Sequence, residues 1–152
     1  MTPAAPLPEG PSGPVLLYDG ACGFCSAAVQ LVLRRDRRGT LRFAALEGAY
    51  ARGLIARHPE LAGVDSLVWA EPAARGERVF VRSEAGLRLA RYLAGPWHLA
   101  LAMWLVPRAL RDSVYDVVAR HRHRLGGPVD ACFAPPPEVR ARFLDPEEPQ
   151  AP

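Results

Sequence analysis

The first sustained apolar run, Val15-Leu16-Leu17-Tyr18, is stopped by Asp19-Gly20 and reads as a buried strand leading into a turn. From Cys22 the period changes. Phe24, Ala28, Leu31, Val32 and Arg35 recur at helical spacing, and Gly39 supplies a C-terminal stop. Arg34, Arg35, Arg37 and Arg38 crowd the end of that helix, where positive charge complements the last carbonyls. Thr40 to Ala45 alternates and then turns apolar, as a second strand would, and Ala49 to His58 forms a short helix ended before Pro59. Such a strand–helix–strand unit makes its two strands parallel. Ser66 to Ala70 and Arg78 to Arg82 are two more strands, joined through Glu71 to Glu77 as an antiparallel hairpin.

Ser83 then offers an N-cap, with Glu84 in the first turn, for a helix through Leu87, Leu89, Ala90 and Leu93 that ends at Gly95-Pro96. Trp97 to Val106 reads as a further helical stretch, apolar nearly all round, which assigns it to the core or to a position beneath a surface. Pro107 to Leu125 reads as a helix with Leu110, Val114, Val117, Val118, His121 and Leu125 on one apolar face. The order is β-α-β-α-β-β-α with appended helices, a mixed α/β domain built on a four-stranded sheet. Of the 152 residues, 15–134 are expected to form this one domain. Residues 1–14 and 135–152 are dense in Pro, Gly, Ala and Glu, and are expected to be a flexible N-terminal tail and a flexible Pro-rich C-terminal tail.

Composition changes this picture little. The net charge is +3, Lys is absent and all 19 basic residues are Arg, so the Arg count reflects residue usage more than a chemical requirement. The 16 acidic residues are spread among them and no basic stripe with stacking aromatics occurs, which argues against nucleic-acid binding. The start lacks the basic, apolar and small-residue segments of a secretory leader, so a cytoplasmic location is expected. The longest apolar run falls short of the about 20 residues that cross a bilayer. Three cysteines, two of them close together, do not make a secreted disulfide scaffold.

Chemistry concentrates at Cys22-Gly23-Phe24-Cys25. A C-x-x-C pair also serves zinc and iron–sulfur sites, but one that follows the first strand and opens the first helix of a βαβ unit is a thioredoxin-like redox motif. The first helical turn presents unpaired amides and the positive end of the dipole, so a thiolate at Cys22 should ionise below the about 8.5 of free cysteine. Cys25, one turn later, is within reach for a small disulfide ring and should stay protonated longer. Cys22 is therefore the expected nucleophile and Cys25 the resolving thiol. Gly23 lets a partner backbone approach closely, and Phe24 is a packing or lid residue. Asp19, three positions before Cys22, is either a turn-forming Asp or a carboxyl group that moves a proton to or from Cys25.

Cys132 lies far from the motif in sequence and reads as a buried structural cysteine, with a third redox thiol or a third metal ligand as alternatives. His121 and His123 are two apart on a predicted helix and point in different directions, which disfavours a metal pair. His58 and His98 read as capping or core histidines.

The segment Tyr18-Asp19-Gly20-Ala21-Cys22-Gly23-Phe24-Cys25 resembles the DCC family of predicted thiol–disulfide oxidoreductases, named for its Asp, Cys and Cys. The resemblance continues through Leu41-Arg42-Phe43-Ala44-Ala45-Leu46, Asp65-Ser66-Leu67-Val68, Ser83-Glu84-Ala85, Pro107-Arg108, Arg111-Asp112, Tyr115, Arg122 to Gly126, and Asp130-x-Cys132. It implies a thioredoxin-like fold with Asp19, Cys22 and Cys25 in the active site. Thioredoxins and glutaredoxins place a cis-proline before the third core strand, facing the cysteines. Here that stretch is Gly63-Val64-Asp65-Ser66, without proline, and Asp65 and Ser66 are expected to line that side of the site.

The expected activity is thiol–disulfide exchange with no organic cofactor, acting on a disulfide-containing protein or a small thiol and recycled by a separate reductant. One alternative is a zinc or iron–sulfur module using Cys22, Cys25 and Cys132. The other is a redox-inactive module that docks on a protein or a membrane surface through Trp97 to Val106 and the helix after it.

Overall fold

The computed structural model describes residues 12–20, 23–126 and 137–144. Four strands, β1 (Val15–Tyr18), β2 (Arg42–Ala45), β3 (Val68–Pro72) and β4 (Glu77–Val81), form one sheet in the order β2-β1-β3-β4. β1 pairs parallel with β2, with Leu16 opposite Phe43, and antiparallel with β3, with Leu16 opposite Trp69; β3 and β4 form the antiparallel hairpin. The helices are α1 (Gly23–Arg35), α2 (Ala49–Arg57), α3 (Arg82–Leu93) and α4 (Arg108–Gly126). This mixed α/β architecture is thioredoxin-like.

Because strand side chains alternate in direction, each strand supplies two cores. Leu16, Phe43 and Trp69 meet Val29 and Val32 of α1 and Ala85 and Tyr92 of α3 on one face. Val15, Leu17, Ala44, Val68 and Ala70 meet Ala51 and Leu54 of α2, together with Leu61, on the other. β1 is buried on both faces, which is why it reads as a continuous apolar run rather than an alternating one. α1 ends at Arg35, after which the Asp36 carboxylate accepts the N–H groups of Arg38 and Gly39 at 2.9 and 3.0 Å. Gly39 takes φ +68°, the left-handed conformation that favours glycine at this turn.

Several expectations need correction. The third strand begins at Val68, not Ser66, leaving Asp65 to Leu67 as the loop that enters the sheet. Ser83 does not cap α3; its hydroxyl instead donates to Asp112 Oδ1 of α4 at 2.5 Å. Gly95–Leu105 forms 3-10 turns whose apolar side chains are not buried, and Leu99 and Leu105 stay 81% and 90% exposed.

α4 is turned relative to its expected orientation. Leu110, Val114, Val117, Val118, His121 and Leu125 face outward, while Arg111 is buried and Tyr115 and Arg122 lie against the domain. At about 100° per residue, the stripe that packs and the apolar stripe lie about a quarter turn apart.

Part of the expected C-terminal tail is docked. Residues 137–144 meet β2 at their end: Phe143 makes an isolated parallel bridge to Phe43, Leu144 N–H donates to the Phe43 carbonyl at 2.9 Å, and the two rings stack with centroids 5.1 Å apart. Arg142 pairs with the fully buried carboxylate of Asp36 and donates to the Leu41 carbonyl at 3.0 Å. A single large ring that fills the core beside an open strand edge outweighs the ordering cost that the Pro-rich composition suggested. At the other end, Pro14 of the expected N-terminal tail already joins the ladder, its carbonyl accepting Arg42 N–H at 2.9 Å.

Candidate active site

The end of β1, the first turn of α1, the loop before β3 and the inner side of α4 converge on a cavity of about 120 Å³. Asp19 follows β1, and Phe24 and Cys25 are the second and third residues of α1. Asp65 and Ser66 come from the loop, and Tyr115, Val118 and Arg122 from α4; all of these line the cavity. Cys25 is half-buried there and Phe24 is partly exposed at the rim. Gly23 opens α1. Cys22 and Cys132 lie outside the described residues. A larger depression of about 600 Å³, lined by Leu61, Val79, Phe80, Glu84 and Arg108 among others, contains no cysteine.

Arg122 holds the cleft together. Its Nη1 donates to the Asp65 carbonyl at 2.7 Å and its Nη2 to Asp19 Oδ2 at 3.3 Å, so one planar guanidinium ties the strand end to the loop. Both partners of the Asp19–Arg122 pair are largely shielded from water, which strengthens their attraction relative to a surface pair. The Asp65 carboxylate is largely exposed and stands 4.0 Å from Arg122 Nη2, a looser contact than that of its carbonyl.

Tyr115 provides the second tie. Its hydroxyl accepts Leu67 N–H at 3.1 Å, satisfying the backbone of the loop that enters β3. Burial pushes the Tyr115 phenol above its usual value of 10, opposed by the Leu67 N–H and reinforced by the nearby Cys25 sulfur. Tyr115 is therefore a neutral O–H donor beside Cys25 throughout the physiological pH range. Among the described residues no cis peptide bond occurs. The loop is held from α4 instead.

Asp19, Phe24, Cys25, Asp65 and Ser66 were singled out from the sequence and line one cavity. Tyr115 and Arg122 were read only as part of a resemblance, with no role assigned. The signal that marks them is the polar stripe Arg111, Tyr115, Arg122 at helical spacing, which the adjacent apolar stripe overshadowed. Among the described residues no group of three His, Cys, Asp or Glu side chains could hold a metal ion, and no helix is long and apolar enough to cross a membrane.

A thioredoxin-like sheet with a cysteine in the first turn of the first helix defines the class of thiol–disulfide oxidoreductase folds. A family model for DCC1-like thiol–disulfide oxidoreductases matches residues 16–128, and the chain belongs to that family. It is 34% identical over 131 residues to the Bacillus subtilis (strain 168) protein described as uncharacterized protein YuxK, covering 86% of this chain and 93% of that one. It is 31% identical over 121 residues to a chloroplastic DCC family protein of Arabidopsis thaliana, covering 78% of this chain and 68% of the relative. No solved structure gives a significant match.

Proposed function

We propose that the chain exchanges disulfides through Cys22 and Cys25, with Cys22 as nucleophile and Cys25 as resolving thiol. The observation that carries this reading is the position of Cys25. It stands in the first turn of α1, facing a cleft shared with Asp19 and Tyr115, while Cys22 directly precedes that helix in sequence. A thiolate at Cys22 attacks one sulfur of a substrate disulfide, forming a mixed disulfide and expelling the other sulfur as a thiolate. Cys25 then loses its proton and attacks the Cys22 sulfur. The substrate leaves as its second thiolate, and Cys22 and Cys25 are left as a disulfide. The substrate gains two electrons and the cysteine pair loses them; a separate dithiol reductant must restore the pair.

Asp19 is the group proposed to take the Cys25 proton, and Arg122 positions it. Tyr115, a neutral donor beside Cys25, would stabilise the thiolate that forms during resolution. Asp65, Ser66, Gly23 and Phe24 would form the walls against which substrate lies, and no organic cofactor is needed.

The test is turnover of insulin or glutathione disulfide with dithiothreitol as the recycling reductant. Cys22→Ser should abolish turnover, and Cys25→Ser should accumulate a covalent mixed disulfide visible by mass spectrometry. Two variants as active as the parent would defeat the mechanism. Stoichiometric zinc or iron that shields the thiols from alkylation would replace it with a metal-binding role.

A further inference from the structure

Val118 lines the cleft beside Cys25 and also stands at the edge of the apolar stripe that α4 turns outward. Next to it along the helix are Val114, Val117 and Leu110, which are 55%, 48% and 57% exposed, and toward the C-terminal end Leu125, 64% exposed. A helix normally turns its apolar stripe to the core, and exposed apolar residues in one contiguous row mark an interaction site. Here the row starts at the redox cleft. Within the cleft Arg122 is engaged by Asp19 and by the Asp65 carbonyl, and the Asp65 carboxylate is turned to solvent on the loop side. On the α4 side the surface offered to a substrate is apolar, from Phe24 at the rim across Val118 and onward along the helix.

Resting on the oxidoreductase reading above, we propose that the outward stripe of α4 is a docking track for polypeptide substrates that carry apolar residues beside the disulfide to be reduced. From Val118 to Leu110 the track runs about 12 Å at 1.5 Å per residue. That is the length of about four residues of extended chain. A small disulfide fills only the cleft and leaves this track empty. An extended polypeptide with its disulfide at the cleft lies along it and buries apolar surface on both sides.

Two measurements on the full chain separate this proposal from the chemistry it rests on. The first is binding, by fluorescence anisotropy, of two labelled peptides that have Ser in place of Cys and differ only in the four flanking residues, Leu/Val/Phe in one and Ser/Asn in the other. The second is single-turnover reduction, by the pre-reduced protein, of the corresponding cystine peptides and of bis(2-hydroxyethyl) disulfide.

The expected result is at least about tenfold tighter binding and faster reduction of the apolar peptide, a difference of about 1.4 kcal/mol. The double variant Val114→Asp/Val117→Asp should lose that advantage in both measurements while reducing the small disulfide as the parent does. Equal binding of the two peptides, or a preference untouched by the double variant, overturns the track. So does a fall in melting temperature in the variant, which would mean that the chain's own residues cover the stripe, or conversion of a dimeric parent into a monomeric variant. Preferential binding without reduction of any disulfide would leave the track standing and defeat the oxidoreductase mechanism instead.

Discussion

The hydroxyl of Tyr92 accepts the N–H groups of Thr40 and Leu41 at 3.1 and 3.0 Å and donates to Asp36 Oδ2 at 3.2 Å. Those backbone groups lead into β2 and have no helix to satisfy them. Tyr92→Phe keeps the ring against Trp69 but leaves the buried Leu41 N–H unpaired; it should cost about 1–3 kcal/mol, read as a lower urea midpoint at unchanged slope. Tyr50 responds to pH. Burial, with the Glu77 carboxylate adding and Arg57 opposing, raises its phenol from 10.0 to about 12. The folded state therefore holds that proton more tightly than the unfolded chain, so this contribution is complete below about pH 10 and is lost as pH rises toward 12. Tyr50→Phe should lose less stability than the parent across that window in denaturant titrations at stepped pH. Equal losses would show that the proton is held no more tightly in the folded state.

At the scale of elements, α4 is the one whose packing departs most from its pattern. Its inward stripe is polar because it serves backbone and carboxylate groups across the cleft: the Leu67 N–H, the Asp65 carbonyl and Asp19. Leaving such groups unsatisfied costs more per group than leaving a valine partly wet. Two substitutions check the orientation. Leu110→Gln, on the outward stripe, should change stability by no more than about 0.5 kcal/mol. Tyr115→Phe, on the inward stripe, should cost about 1 kcal/mol through the orphaned Leu67 N–H. Thermal unfolding of both variants decides the matter, and the reverse order of effects would mean that α4 packs by its apolar side.

For the molecule as a whole, the sheet supplies a two-sided core, and the segment 137–144 docks on its β2 edge at Phe143 and Leu144. Phe143 is buried in the same cluster as Leu16, Phe43 and Trp69, so it is part of the domain despite standing in Pro-rich sequence. Phe143→Ala should destabilise the protein by about 3–5 kcal/mol, through lost burial and the cavity left behind. Unfolding of this variant in urea, with the parent alongside, measures the effect; a change under about 1 kcal/mol would mean that the segment contributes little to the fold.

Periodicity along the chain was enough to find the four strands and four α-helices seen among the described residues, though it read the 3-10 turns of Gly95–Leu105 as part of a further helix, and it put Cys25 in the first turn of the first helix. Those features are local: alternation by two or by three to four decides which backbone geometry buries apolar side chains. The parallel β1–β2 pairing and the antiparallel β3–β4 hairpin also followed; the antiparallel pairing of β1 with β3 did not, because α2 leads from β2 to a strand that runs the other way. Three further things depended on the tertiary structure. Arg122 meets Asp19 across 103 residues, Tyr115 meets the loop before β3, and Phe143 finds Phe43. In each case the partner is set by which unsatisfied group or open edge lies opposite once the sheet is assembled. No repeat within one helix or tail encodes that, which is why a polar stripe could take the inside of α4 and leave the apolar one facing out beside the cysteine.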